Sequence, residues 1–122
     1  MRQEVFDYIR KQYHVSPDFP WRTSPESAVF RHEDSRKWFA LVMTVSGEKV
    51  GASGPDPVDV INLKVDDMLL RDALIQEERI IPAYHMNKVH WITVLLDGTV
   101  PAERVYDLIG ISFMATRSAK KK

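Results

Sequence analysis

Between Pro82 and Trp91 the chain reads PAYHMNKVHW, and Tyr84, His85, Asn87, Lys88 and His90 place five polar or titratable side chains within seven positions. Imidazoles can ligate a metal or move a proton, a lysine beside an amide can hold an anion, and aromatic rings can stack on a planar ligand. Spacing narrows that choice. His85 and His90 are five residues apart, which separates them by about 140° on a helix and puts them on opposite faces of a strand. A metal site would need a bend at Asn87-Lys88 and further ligands from His14, His32 or a carboxylate, and no HExxH-like pattern supports one. Strand-end histidines bonded to backbone or water explain the pair without a metal. We expect neither metal nor cofactor.

Nucleophilic catalysis has no better footing. The chain has no cysteine, and no serine stands in a GxSxG elbow. Gly51-Ala52-Ser53-Gly54 lacks the Gly-Lys-Ser/Thr ending of a phosphate-cradling loop, so a hairpin loop is the better account. Asp66-Asp67 and Glu77-Glu78 are adjacent pairs whose side chains diverge on a helix, which fits caps and solvated helix ends. With no catalytic motif, a non-enzymatic protein is expected.

What remains is a binding vocabulary. Lys37, Lys64, Tyr84, His85, Asn87, Lys88 and His90 are the candidate binding residues. Cations contact phosphates or other anions, and aromatics stack, as in nucleic-acid or small-anion recognition. Trp38 and Trp91 belong to apolar runs and are expected in the core. Lys64 near the end of VDVINLKV has two readings: an ammonium in a solvated cleft, or an ordinary edge lysine whose stem snorkels to water.

A chain of 122 residues, 44% apolar and 28% charged, suits one domain with one core. The absence of cysteine removes disulfides, iron–sulfur clusters and Cys-ligated zinc. No apolar run approaches the roughly 20 residues that span a bilayer, and the N-terminus lacks the apolar stretch of a signal peptide. A cytoplasmic, monomeric protein is expected, without a membrane partner. Formal net charge is zero, but the thirds differ: +1 over residues 1–45 (7 basic, 6 acidic), −5 over 46–78 (3 and 8) and +4 over 79–122 (7 and 3). A neutral total argues against strong nonspecific nucleic-acid affinity, while the basic last third leaves room for a local contact.

The candidates must be carried by regular elements. Apolar spacing predicts a helix over 2–14, then a Pro-rich loop at 15–27 in which Phe19 and Trp21 anchor to the core. Strands are predicted at 28–32, 37–45 and 58–65, a three-strand meander. In the second strand, alternation puts Phe39, Leu41, Met43 and Val45 on one face and Trp38, Ala40, Val42 and Thr44 on the other. Asp66 is the expected N-cap of a helix over 67–76, one or two strands end at 90–97, and Pro101 opens a last helix reaching about Met114. The expected fold class is α+β: a two-layer arrangement of an antiparallel sheet of about five strands with three main helices over one face. Residues 1–117 form one domain, and 118–122 a basic flexible tail.

These segments also resemble a known family. KWFALVM, the pair Leu63-Lys64 before an acidic helix start, IPAYHMNKVHWITVLLDG, the Pro-initiated last helix and its Ser112-Phe113 are similar to the MmcQ/YjbR family of small bacterial proteins, over nearly the whole chain. The resemblance implies a compact two-layer fold, also likened to secretion chaperones and frataxin-like proteins, and a DNA-binding role linked to a double-wing shape. The alternative it leaves is a protein-interaction or small-ligand module of the secretion-chaperone kind. Family members often have a Cys after the third-strand lysine and a Pro at the next helix start, where this chain has Val65 and Asp66-Asp67. The added acid makes the surroundings of Lys64 less welcoming to phosphate.

Overall fold

Val5 and Ile9, four residues apart, both turn inward from α1 (Arg2–Tyr13) and are fully buried, the stripe expected of a helix lying on a core. The helix stops where His14 adopts a left-handed conformation (φ 59°) and donates its N–H to the Arg10 carbonyl at 2.9 Å. The computed structural model describes residues 1–117, so the tail expected at 118–122 lies outside the described residues.

β1 (Ala28–Arg31), β2 (Trp38–Ser46) and β3 (Pro57–Lys64) form the expected meander. A 3-10 turn, Gly47–Val50, opens the β2–β3 connection. There Gly47 is required, because a Cβ would meet the Gly54 and Asp56 carbonyl oxygens at 3.0 and 3.1 Å. After β3 come α2 (Met68–Leu74), β4 (Ile80–Pro82), β5 (Trp91–Leu95) and α3 (Ala102–Thr116). The sheet order is β1-β2-β3-β5-β4 with every neighbouring pair antiparallel. This is the α+β class read from the sequence. Among the described residues no helix is long and apolar enough to cross a membrane.

α1 and α3 cover one face, where Phe30, Val42, Ile61, Leu63 and Ile92 pack with Val105, Leu108 and Ile109. On the opposite face Val29, Leu41, Met43, Val60 and Leu95 form a smaller cluster, covered in part by Val50, Ala52, Tyr84 and Met86 from connecting loops.

Three expectations change. Phe30 pairs with Ala40 but Arg31 pairs with Trp38, so β2 carries one extra residue, Phe39, against β1. Such a bulge breaks strict alternation. Phe39 joins Ala40 and Val42 under the helices, while Trp38 packs against the cluster of Leu41 and Met43 on the other face. Second, the cap of α2 is Asp67, whose Oδ1 accepts the Leu69 and Leu70 N–H groups at 3.0 and 3.1 Å. Third, Phe19 and Trp21 are not core anchors. They are 51% and 36% exposed, because the Pro-rich loop runs along the sheet edge, where Asp18 bridges to Val29.

Candidate binding groove on the open sheet face

Lys64 and Trp91 are directly opposed on β3 and β5, so their side chains leave the sheet on the same face. The Lys64 N–H is held by Ser112 Oγ at 2.9 Å, and that hydroxyl donates to the Phe39 carbonyl at 2.6 Å. One buried serine on α3 therefore ties the ends of β2 and β3 together. Lys64 keeps 30% of its side chain exposed and lies 3.8 Å from the Asp66 carboxylate. This pair is too open and too long to neutralise the lysine fully.

Across the sheet end, the bulge delivers Trp38, and Lys37 precedes it. Lys37, Trp38, Lys64, Trp91, Met86 and Thr116 surround an open hollow of about 310 Å³. Both tryptophans are half-buried, where the sequence had led us to expect core positions. A second hollow of about 270 Å³ shares Trp38 and Met86 and extends to Trp21, Leu41, Met43 and Ser27. Trp21 meets Trp38 edge-on at 5.8 Å between centroids, and the Arg31 guanidinium lies 5.7 Å from the Trp38 ring. Those two contacts orient the indole that both hollows share.

Met86 reaches this face because the loop carrying it is pinned from below. Asn62 and Thr93, paired across β3 and β5, have no exposed surface. The Thr93 hydroxyl donates to Asn62 Oδ1 at 2.6 Å and accepts the Tyr84 N–H at 2.8 Å, while Asn62 Nδ2 donates to the Tyr84 carbonyl at 2.9 Å. Both backbone groups of Tyr84 are satisfied by a polar pair on the sheet, as a buried loop requires. Asn87 Oδ1 then accepts from Val89 and His90 N–H at 2.8 and 3.1 Å, and its carbonyl accepts from Trp91 N–H at 3.0 Å. Lys88 Nζ donates to the Ala83 carbonyl at 2.7 Å, and Arg71 donates to the Lys88 carbonyl at 2.6 Å.

The candidate residues thus separate. Lys37 and Lys64 share a hollow, and His85, in a left-handed conformation (φ 64°), lines the adjoining one. Tyr84 packs on the open-face cluster with its ring centroid 4.0 Å from that of His85. Asn87 Oδ1 and Lys88 Nζ bond to backbone groups of the loop itself. His90 is exposed and lines neither hollow; its carbonyl accepts the Val65 N–H at 2.7 Å. Sequence reasoning missed Trp21, Met86, Asn62 and Thr93. A signal existed for the last two, since an amide and a hydroxyl at the centres of two apolar strands imply a buried polar pair.

Behind the groove, His32 Nε2 is 2.8 Å from Thr116 Oγ1 in a buried contact, and the Thr116 hydroxyl donates to the Ser112 carbonyl at 2.8 Å. With its hydroxyl proton so committed, Thr116 accepts from the imidazole. Burial pushes the His32 pKa below its ordinary value; Asp34 and a bond to the Phe113 backbone oppose that shift, and Lys37 adds to it. A hollow of about 410 Å³ opens here among Tyr13, His32, Glu33, Asp34 and Arg117. Its two acids make it a poor receptacle for an anion. Among the described residues no three His, Asp or Glu side chains are grouped to hold a metal ion.

Comparison with known proteins supports the same architecture. The YjbR family model matches residues 10–115. A Bacillus subtilis protein named "Uncharacterized protein YyaQ" is 40% identical over 116 residues, 95% of this chain and 98% of that one. The Escherichia coli K12 protein named YjbR is 36% identical over 53 residues, 43% of this chain and 45% of that one. A crystal structure of a Pseudomonas syringae protein, 50% identical, superposes with a TM-score of 0.92 over 96% of this chain and 99% of that one. A Deinococcus radiodurans protein assigned to DUF419 superposes at 0.72 with 29% identity, over 100% of this chain and 83% of that one. With the family match running from within α1 to the last turn of α3, and a relative aligned nearly end to end, the chain belongs to the YjbR family.

Proposed function

We propose that this protein is a non-enzymatic binding module that engages DNA through the open face of its sheet, with Lys37 and Lys64 as its phosphate contacts. The observation that carries this reading is the hollow in which those two lysines stand beside two half-buried tryptophans. Cations alone would describe any surface, and tryptophans alone a core. Their combination around one opening is what a sugar–phosphate chain with unpaired bases requires. Lys88 is not a phosphate contact in this reading, because its ammonium is committed to the Ala83 carbonyl.

A salt titration tests it. Two phosphate contacts on a single strand give a slope of about −1.4 in log K against log salt, at about −0.7 per contact. Absence of binding at low ionic strength, or a slope unchanged in Lys37→Ala and Lys64→Ala, would refute it.

A second reading is a small anionic ligand carrying an apolar ring. The adjoining hollow favours it, being lined by Trp21, Trp38, Leu41 and Met43. Loops already cover parts of the apolar face, which supports an occupant of ring size over a broad protein partner.

A further inference from the structure

The two hollows are adjacent, share Trp38 and Met86, and differ in character. One is cationic and aromatic; the other is apolar, with the hydroxyls of Ser24 and Ser27 and the His85 ring at its rim. We infer that together they form one nucleotide subsite, in which a single unpaired base lies against Trp38 and Trp21 while its phosphate sits between Lys37 and Lys64. This rests on the DNA-binding reading and specifies it: the unit recognised is one unstacked nucleotide, not the surface of a duplex.

The geometry argues for this unit in three ways. A base inside a duplex hides both faces in the stack, so an indole-walled hollow can receive one only after it is unpaired. Volumes of about 310 and 270 Å³ each stand at or below the lower end of the usual range for ligand pockets. Each therefore suits one group rather than a run of stacked rings. The shared wall is also adaptable on one side and fixed on the other. Met86 has an unbranched thioether that accommodates different ring shapes, whereas Trp38 is held by Trp21 and Arg31.

The chemistry, a base joined to a phosphate, is shared by a DNA strand and a free nucleotide. The test therefore uses four probes with the full-length protein: a labelled thymidine 12-mer, a 12-mer of identical length with abasic sites throughout, the duplex of the same length, and thymidine monophosphate followed by tryptophan fluorescence. The thymidine strand is expected to bind about 5- to 150-fold more tightly than the abasic strand, the range one stacked base supports, and more tightly than duplex. In Trp21→Ala, a change at an exposed loop position, that preference collapses to within about twofold. Equal affinity for thymidine and abasic strands, or a preference for duplex, would overturn the base subsite while leaving the DNA-binding reading intact. Binding of the monophosphate without binding of any strand would uphold the subsite and overturn the DNA reading. Failure of all four probes would remove both.

Discussion

The two faces of the sheet are built by different means. Beneath α1 and α3, buried hydrocarbon from regular elements fills the space, with Phe30, Phe39, Leu108 and Ile109 fully enclosed. On the other face, loops do the covering, and side-chain hydrogen bonds to backbone hold them down. Close packing makes the first face intolerant of lost volume. The second keeps an apolar hollow because a pinned loop encloses less completely than a helix, and the cationic hollow opens beside it at the sheet end, next to α3. Stability should therefore reside mainly on one side and recognition on the other.

Substitutions can break that division. Phe39→Ala empties a fully buried position against Phe30, Phe113 and Tyr13 and is expected to cost about 3–5 kcal/mol in chemical denaturation. If the neighbouring Trp38→Ala costs as much, the two faces are not energetically distinct. Next, Thr93→Val keeps shape but strands the Tyr84 N–H and one side of Asn62, a loss of about 1–3 kcal/mol. Amide exchange should accelerate over residues 84–90 more than in α3; uniform acceleration would mean that the loop is not separately pinned.

A pH experiment probes the boundary between the faces. Because the folded state lowers the His32 pKa, the unfolded chain holds the proton more tightly. His32 therefore contributes stability that is complete above its ordinary pKa of about 6.5 and is lost as pH falls through the folded value. Glu33, Asp34, Lys37, Tyr13 and Arg117 face the same region, so the signature is the difference between the native chain and His32→Gln. Parallel stability curves between pH 7 and pH 5 would exclude the effect. The smallest change in stability belongs to Lys64→Ala, within about 0.5 kcal/mol for a surface charge, with the salt slope of DNA binding falling toward that of one contact.

The helix face was the more legible from sequence, because the spacing of Val5 and Ile9 and the apolar runs of β3 and β5 report burial directly. Lys64 was legible for a related reason: a charge near the end of an apolar strand has to reach water. The bulge was not, since nothing local distinguishes an inserted residue from an alternating one, and the strand's two-sided apolarity concealed that Trp38 had changed face. Asn87 and Lys88 carry a second reading that the sequence did not separate from the first. Their polarity suggested ligand chemistry, whereas a loop lying over a sheet needs such groups for its own backbone. Met86 gave no signal, because an apolar residue among polar ones reads as a packing contact.

Both margins of the sheet offer little backbone for pairing. At β1, Asp18 accepts the Val29 N–H and donates its own to the Val29 carbonyl, at 2.8 and 2.9 Å. At the other margin, β4 is three residues long and ends in Pro82, which has no N–H to offer. A further chain segment would find little open backbone to zip onto, so edge-to-edge growth into fibrils is disfavoured at both sides. The protein can therefore leave an aromatic surface open to solvent on its face without inviting strand-by-strand self-assembly.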